Sequence, residues 1–107
     1  MTDKIVVLTT CDSEKHGVQL ARHLVELRLA ACVNILPGVR SVYRWKGKVE
    51  DVEEAMLVIK TSRSQAAAVE SALREAHSYD LPEFLLLPVS GGGAAYLAWL
   101  REGLGPI

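Results

Sequence analysis

The stretch from Ala31 to Thr61, ACVNILPGVRSVYRWKGKVEDVEEAMLVIKT, constrains the fold more than any other part of the chain. It reads as two long β-strands joined by a tight turn around Lys46-Gly47-Lys48. Globular strands average about 5–6 residues, so arms of this length overhang the core they belong to. Past Pro37-Gly38 the period of two is plain. Val39, Ser41, Tyr43 and Trp45 share one face; Arg40, Val42, Arg44 and Lys46 share the other. An overhanging ribbon carrying Val42, Tyr43 and Trp45 needs something to pack against. The expected partner is another copy of the chain, with these three residues at the interface. The second arm opens on acids, Glu50, Asp51, Glu53 and Glu54, placed to meet the basic residues of the first arm across the ladder. Pro37 has no N–H for a ladder and marks a bulge, bend or edge.

The rest of the chain supplies a core for that hairpin. Lys4–Thr10 is a β-branched run expected as a central strand. Asp12 or Ser13 caps a helix over 13–29, with Gln19, Arg22, His23 and Glu26 on its polar side and Ala21, Leu24, Val25 and Leu29 opposite. A second helix spans 65–77. Glu83–Val89 is a further strand, in which Pro88 marks a sheet edge or a strand end. After Ser90-Gly-Gly-Gly93 a short helix covers 94–101. The order β-α-β-β-α-β-α over one domain, residues 1–107, is that of an α+β, ferredoxin-like βαββαβ sandwich. It has an antiparallel sheet, a long central hairpin and a short C-terminal helix. Both long helices lie on one face of such a sheet. The other face is left open, which points to an oligomer.

Composition narrows the function. Twelve Lys and Arg against thirteen Asp and Glu give a net charge of −1, which speaks against a nucleic-acid binder. No apolar run reaches the ~20 residues of a membrane span, and no signal peptide is recognisable, so a cytoplasmic protein is expected. The two cysteines, Cys11 and Cys32, are then expected to stay reduced. Gly91-Gly92-Gly93 lacks the flanking residues of a phosphate loop and reads as a flexible turn. Cys11 near a helix start is the one candidate nucleophile, through thiolate stabilisation. Its usual reading is a small apolar residue, and no catalytic residue is assigned. Cys11, His16, His77, Asp80 and Glu83 all fall at ends of elements, where thiolate, imidazole and carboxylate suit copper or another divalent cation.

Several pieces together resemble the CutA1 family of divalent-cation tolerance proteins. They are Arg28-Leu-Ala-Ala-Cys-Val-Asn-Ile35, Pro37-Gly38, Ser41-Val-Tyr-Arg-Trp45 with Gly47, and Ile59-Lys-Thr61. His77-Ser-Tyr79, Pro82-Glu83 and Tyr96-Leu-Ala-Trp99 complete the set, in the family's order and over nearly the whole chain. The resemblance implies a ferredoxin-like homotrimer tied by its hairpins, a link to copper and other divalent metals, no enzymatic activity and no required cofactor. It also implies a loose likeness to the PII signalling proteins. The alternative function is therefore a PII-like scaffold that takes a small anion or a protein partner between subunits. Copper ligands in the family fall at a first-strand position, here Thr9, and at two adjacent positions, here Ala76 and His77. Only His77 retains ligand chemistry. Cys11 lies two residues beyond Thr9 and faces the same way. With Glu83 from the matching Pro82-Glu83, the metal candidates are His77, Cys11 and Glu83.

Overall fold

The computed structural model describes residues 2–106. Its elements are β1 (Lys4–Cys11), α1 (Glu14–Glu26), β2 (Cys32–Trp45), β3 (Lys48–Ser62), a single 3-10 turn (Arg63–Gln65), α2 (Ala66–Ala76), β4 (Leu85–Pro88) and α3 (Ala94–Gly103). The four strands form one sheet in the order β2-β3-β1-β4, every pairing antiparallel. This is the expected α+β architecture.

Alternation along the central strands separates two faces. Ile5, Val7 and Cys11 of β1, with Ala55, Leu57 and Ile59 of β3, point to the helices and are buried. Leu20 and Leu24 of α1 and Val69 and Leu73 of α2 close that layer. Gly17 lets α1 approach the sheet: a Cβ there would stand 3.3 Å from Cys11 Sγ. Ser13 caps α1 by accepting from the His16 N–H at 3.1 Å. The helix ends at Glu26 rather than near Leu29, because Arg28 turns left-handed at φ 60°. Val25, expected toward the core, is instead exposed.

The opposite face carries Val6 and Leu8 of β1, Met56 and Val58 of β3, Leu36 of β2 and Leu85 and Leu87 of β4. At one end α3 leans on it, where Lys60 Nζ reaches the Tyr96 hydroxyl at 3.3 Å. Arg28 anchors α3 by donating to the carbonyls of Glu102 and Gly103. The middle of the face has no cover within the protomer: Leu36, Leu85 and Leu87 are 44%, 55% and 46% exposed. β4 is a short edge strand, and Pro88 lies in it as expected.

The ribbon of β2 and β3 contains one change of register. Leu36 pairs with Met56 but Val39 pairs with Glu54, so β2 holds one extra residue there. Gly38 takes up the bulge at φ 71°. Each side chain beyond it changes face. Val39, Ser41, Tyr43 and Trp45 thereby continue the open side of the sheet, and Arg40, Val42 and Arg44 take the other. The tip is a two-residue turn, Lys46-Gly47, with positive φ at both positions, which suits the twist of the strands. The expected pairing of acids with bases across the ribbon is present at Arg40 and Asp51, Nε to Oδ1 2.8 Å. Being exposed, it sets register more than stability.

Among the described residues, Thr9 Oγ1 is the buried side-chain polar atom without a hydrogen-bond partner. An unpaired buried hydroxyl costs about 1–3 kcal/mol relative to an apolar group of the same shape. Thr9→Val is therefore expected to raise the chemical denaturation midpoint. An unchanged or lower midpoint would show that the hydroxyl is satisfied.

Candidate functional site

Residues 78–84 fold across the end of the sheet and leave an open cleft of about 880 Å³ against the ribbon. Thr10, Tyr43, Trp45, Glu54, Tyr79 and Glu83 are among its walls. The bulge at Gly38 puts Tyr43 and Trp45 on the cleft side.

At its floor stands Glu54, only 6% exposed. The Tyr79 hydroxyl donates to Glu54 Oε2 at 2.6 Å. Burial, reinforced by the Glu54 charge, pushes the Tyr79 phenol far above its ordinary range, so it remains a donor. Glu83 faces the same carboxylate. Burial first, and then the Glu54 charge, hold its carboxyl above the usual carboxylate range. Among the described residues no ion pair engages Glu54 or Glu83. Asp80 adds an exposed acid among the lining residues. The cleft thus combines aromatic walls with negative charge that no cation among the described residues pairs with.

His77 ends α2, its N–H bonded to Leu73 O at 2.8 Å. The ring fixes the loop that follows. Nδ1 takes the Tyr79 N–H at 3.1 Å, and Nε2 lies 2.6 Å from Thr10 O. A backbone N–H only donates, so Nδ1 is the acceptor and Nε2–H donates to the carbonyl. One tautomer satisfies both bonds, and the ring ties the end of α2 to the end of β1. It also packs 4.7 Å from the Tyr79 ring, which aims that phenol at Glu54. His16 stands edge-on to His77, with centroids 5.7 Å apart, between Asp12 Oδ1 at 3.2 Å and Ala76 O at 3.3 Å.

The three metal candidates do not meet at one point. Cys11 is fully buried on the helix side of β1, its S–H directed to Ser13 O at 3.4 Å. Burial, the main cause, pushes this thiol up, so the helix N-terminus does not make it a thiolate. Both ring nitrogens of His77 are already bonded, and Glu83 lines the cleft. Among the described residues no three His, Cys, Asp or Glu side chains converge to hold an ion. Within one protomer the three stand apart, Cys11 on the helix side of the sheet and Glu83 in the cleft. Of the interface candidates, Tyr43 and Trp45 face the cleft side of the ribbon, and Val42, 65% exposed, lies on its back. Gly93 is the N-cap of α3, in ordinary extended backbone.

Sequence reasoning placed Glu54 with the acids that meet the basic arm. Instead it sits opposite Val39, buried and bonded to Tyr79. The available signal was its position two residues before Met56, in the alternating set that lines the open face.

The family model described as "CutA1 divalent ion tolerance protein" matches residues 5–103. A divalent-cation tolerance protein CutA of Pectobacterium atrosepticum is 45% identical over 104 residues, 97% of this chain and 94% of that one. The solved structure of the divalent cation tolerance protein Cut A1 of Thermus thermophilus superposes with a TM-score of 0.92 at 43% identity, covering 95% of this chain and 99% of that one. A periplasmic divalent cation tolerance protein CutA of Archaeoglobus fulgidus superposes at 0.91 with 32% identity, over 94% and 97% of the two chains.

Tyr79→Phe removes the donor to a buried carboxylate. It is expected to cost about 1–3 kcal/mol of stability at neutral pH, read from denaturant unfolding. A change within about 0.5 kcal/mol, the range of an ordinary surface substitution, would show that Glu54 does not depend on this bond.

Proposed function

The chain belongs to the CutA1 family, and on that premise we propose that it serves divalent-cation tolerance in the cytoplasm as a non-enzymatic homotrimer. The observation that carries this reading is the match of the family model over residues 5–103, on a chain whose sheet is open on one side. Three copies is the number implied by the family resemblance. The open face supplies the reason to assemble. Leu36, Leu85, Leu87, Tyr43 and Trp45 form an apolar surface that a neighbouring copy removes from water. A closed ring covers every such face.

Divalent cations, copper included, are bound weakly in this reading, with His77, Cys11 and Glu83 as the donors. Their placement accounts for the weakness. A cation that takes His77 must displace a hydrogen bond at one of its nitrogens, and leaving a buried partner unpaired costs about 1–3 kcal/mol, or about five- to 150-fold in affinity. Cys11 must lose a proton that burial holds in place.

A second reading, the PII-like scaffold, draws on the cleft itself. Its size suits a ligand or a partner loop. Glu54, Asp80 and Glu83 repel a small anion, so this reading favours a protein partner.

Titrating copper into the protein by calorimetry tests the metal reading. His77→Ala is expected to weaken the affinity severalfold; an unchanged affinity removes His77 from the donors.

A further inference from the structure

The floor of the cleft holds an unpaired acceptor. Glu54 is nine-tenths buried, and one of its two carboxylate oxygens is engaged: Oε2 takes the Tyr79 hydroxyl at 2.6 Å. Oε1 has no hydrogen-bond partner among the described residues, yet the atom that is both fully buried and unpaired among them is Thr9 Oγ1. Oε1 therefore opens into the cleft that Glu54 lines. Among the described residues no ion pair reaches Glu54. A carboxylate so far from bulk water is costly unless a positive group meets it. Glu83 lines the same cleft at half-burial. Burial, and then the Glu54 charge, hold its carboxyl above the usual carboxylate range, and a cation between the two acids relieves that.

The walls select the kind of cation. Tyr43, Trp45 and Tyr79 set aromatic rings around the two acids. Ring faces attract ammonium groups, and they pack against an apolar body. The protein shows this attraction in its own side chains: Lys46 Nζ lies 5.8 Å from the Trp45 ring centroid, outside the residues that line the cleft. A metal ion is a poorer match. Hard divalent ions take about six or more oxygen ligands, and among the described residues no three His, Cys, Asp or Glu side chains converge on one point. The cleft, about 880 Å³, has room for an ammonium group together with the carbon body that carries it.

We propose that the cleft binds a small organic ammonium ion, its N–H groups donating to Glu54 and Glu83 and its apolar body lying among Tyr43, Trp45 and Tyr79. Such a ligand is neither a metal ion nor a protein, so the site goes beyond both readings above. Tyr79 then has a second task. By holding Oε2 it fixes the carboxylate with Oε1 toward the ligand.

Calorimetric titration of the full chain, in the assembled state it holds in solution, tests this with phenethylamine, a primary ammonium at neutral pH on an aromatic body. A ligand of this size is expected to reach a dissociation constant of about 1 mM or tighter. Phenethyl alcohol, the same body without the charge, is expected to bind about tenfold more weakly, because it lacks the charge-assisted hydrogen bonds. Glu54→Gln keeps an oxygen for the Tyr79 hydroxyl. It is expected to lower the amine affinity about tenfold and to leave that of the alcohol unchanged. Circular dichroism checks the fold, and Glu83→Gln, at a half-buried position, takes its place if that chain does not fold. The proposal is overturned by the absence of saturable amine binding, by equal affinity for amine and alcohol, or by an amine affinity that the variant leaves unchanged. Displacement of the amine by an equal concentration of magnesium ion overturns the choice of an organic cation. None of these results bears on the copper titration or on the number of copies, so the readings above fail or stand separately.

Discussion

The constraint on which the rest of the structure depends is the single extra residue in β2 between Leu36 and Val39. A strand with side chains of period two has no other way to change face while remaining in its ladder. Without the bulge, Arg40, Val42 and Arg44 would continue the open side of the sheet, and Tyr43 and Trp45 would lie with the helices. With it, the aromatics extend the apolar face set by Leu36, Met56 and Val58, and they become walls of the cleft. Gly38 makes the bulge affordable, since its φ of 71° is a conformation that side-chain-bearing residues adopt at a cost. One glycine thus connects strand register to the location of the candidate site.

From that point the two faces of the sheet have different tasks. The helix side is a closed core with the central β1 and β3 at its middle, and it accounts for the stability of the protomer. The other side is partly covered by α3 and otherwise open. The protomer's radius of gyration, 14.3 Å, exceeds the about 13 Å of a compact chain of this length. The excess reflects the ribbon. A lone two-stranded ribbon is marginal in water, and the assembly proposed above would cover it.

Much of this was legible in the sequence. The long alternating arms, the turn around Lys46-Gly47-Lys48, the interruption of the first arm at Pro37-Gly38 and the edge or strand end at Pro88 all rest on local backbone chemistry, which is why they could be read. The cleft was not legible in the same way. Glu54 looked like one more solvated acid, because its burial depends on Tyr79, 25 residues later. The hydrogen bonding of His77 was illegible for a related reason. The residue type suggests a ligand, but the carbonyl of Thr10 and the N–H of Tyr79 already occupy both nitrogens. Cys11 was read from its nearness to a helix start, and its burial among core residues overrides that. In each case the deciding partner is remote in sequence or belongs to the backbone, and neither leaves a pattern in residue types.

The central claim is that the ribbon and the open sheet face are finished by other copies of the chain. Small-angle X-ray scattering in dilute solution measures this directly. A compact assembly of three chains is expected to show a radius of gyration of about 20 Å. A value that stays near the 14.3 Å of one protomer at every accessible concentration would contradict the account.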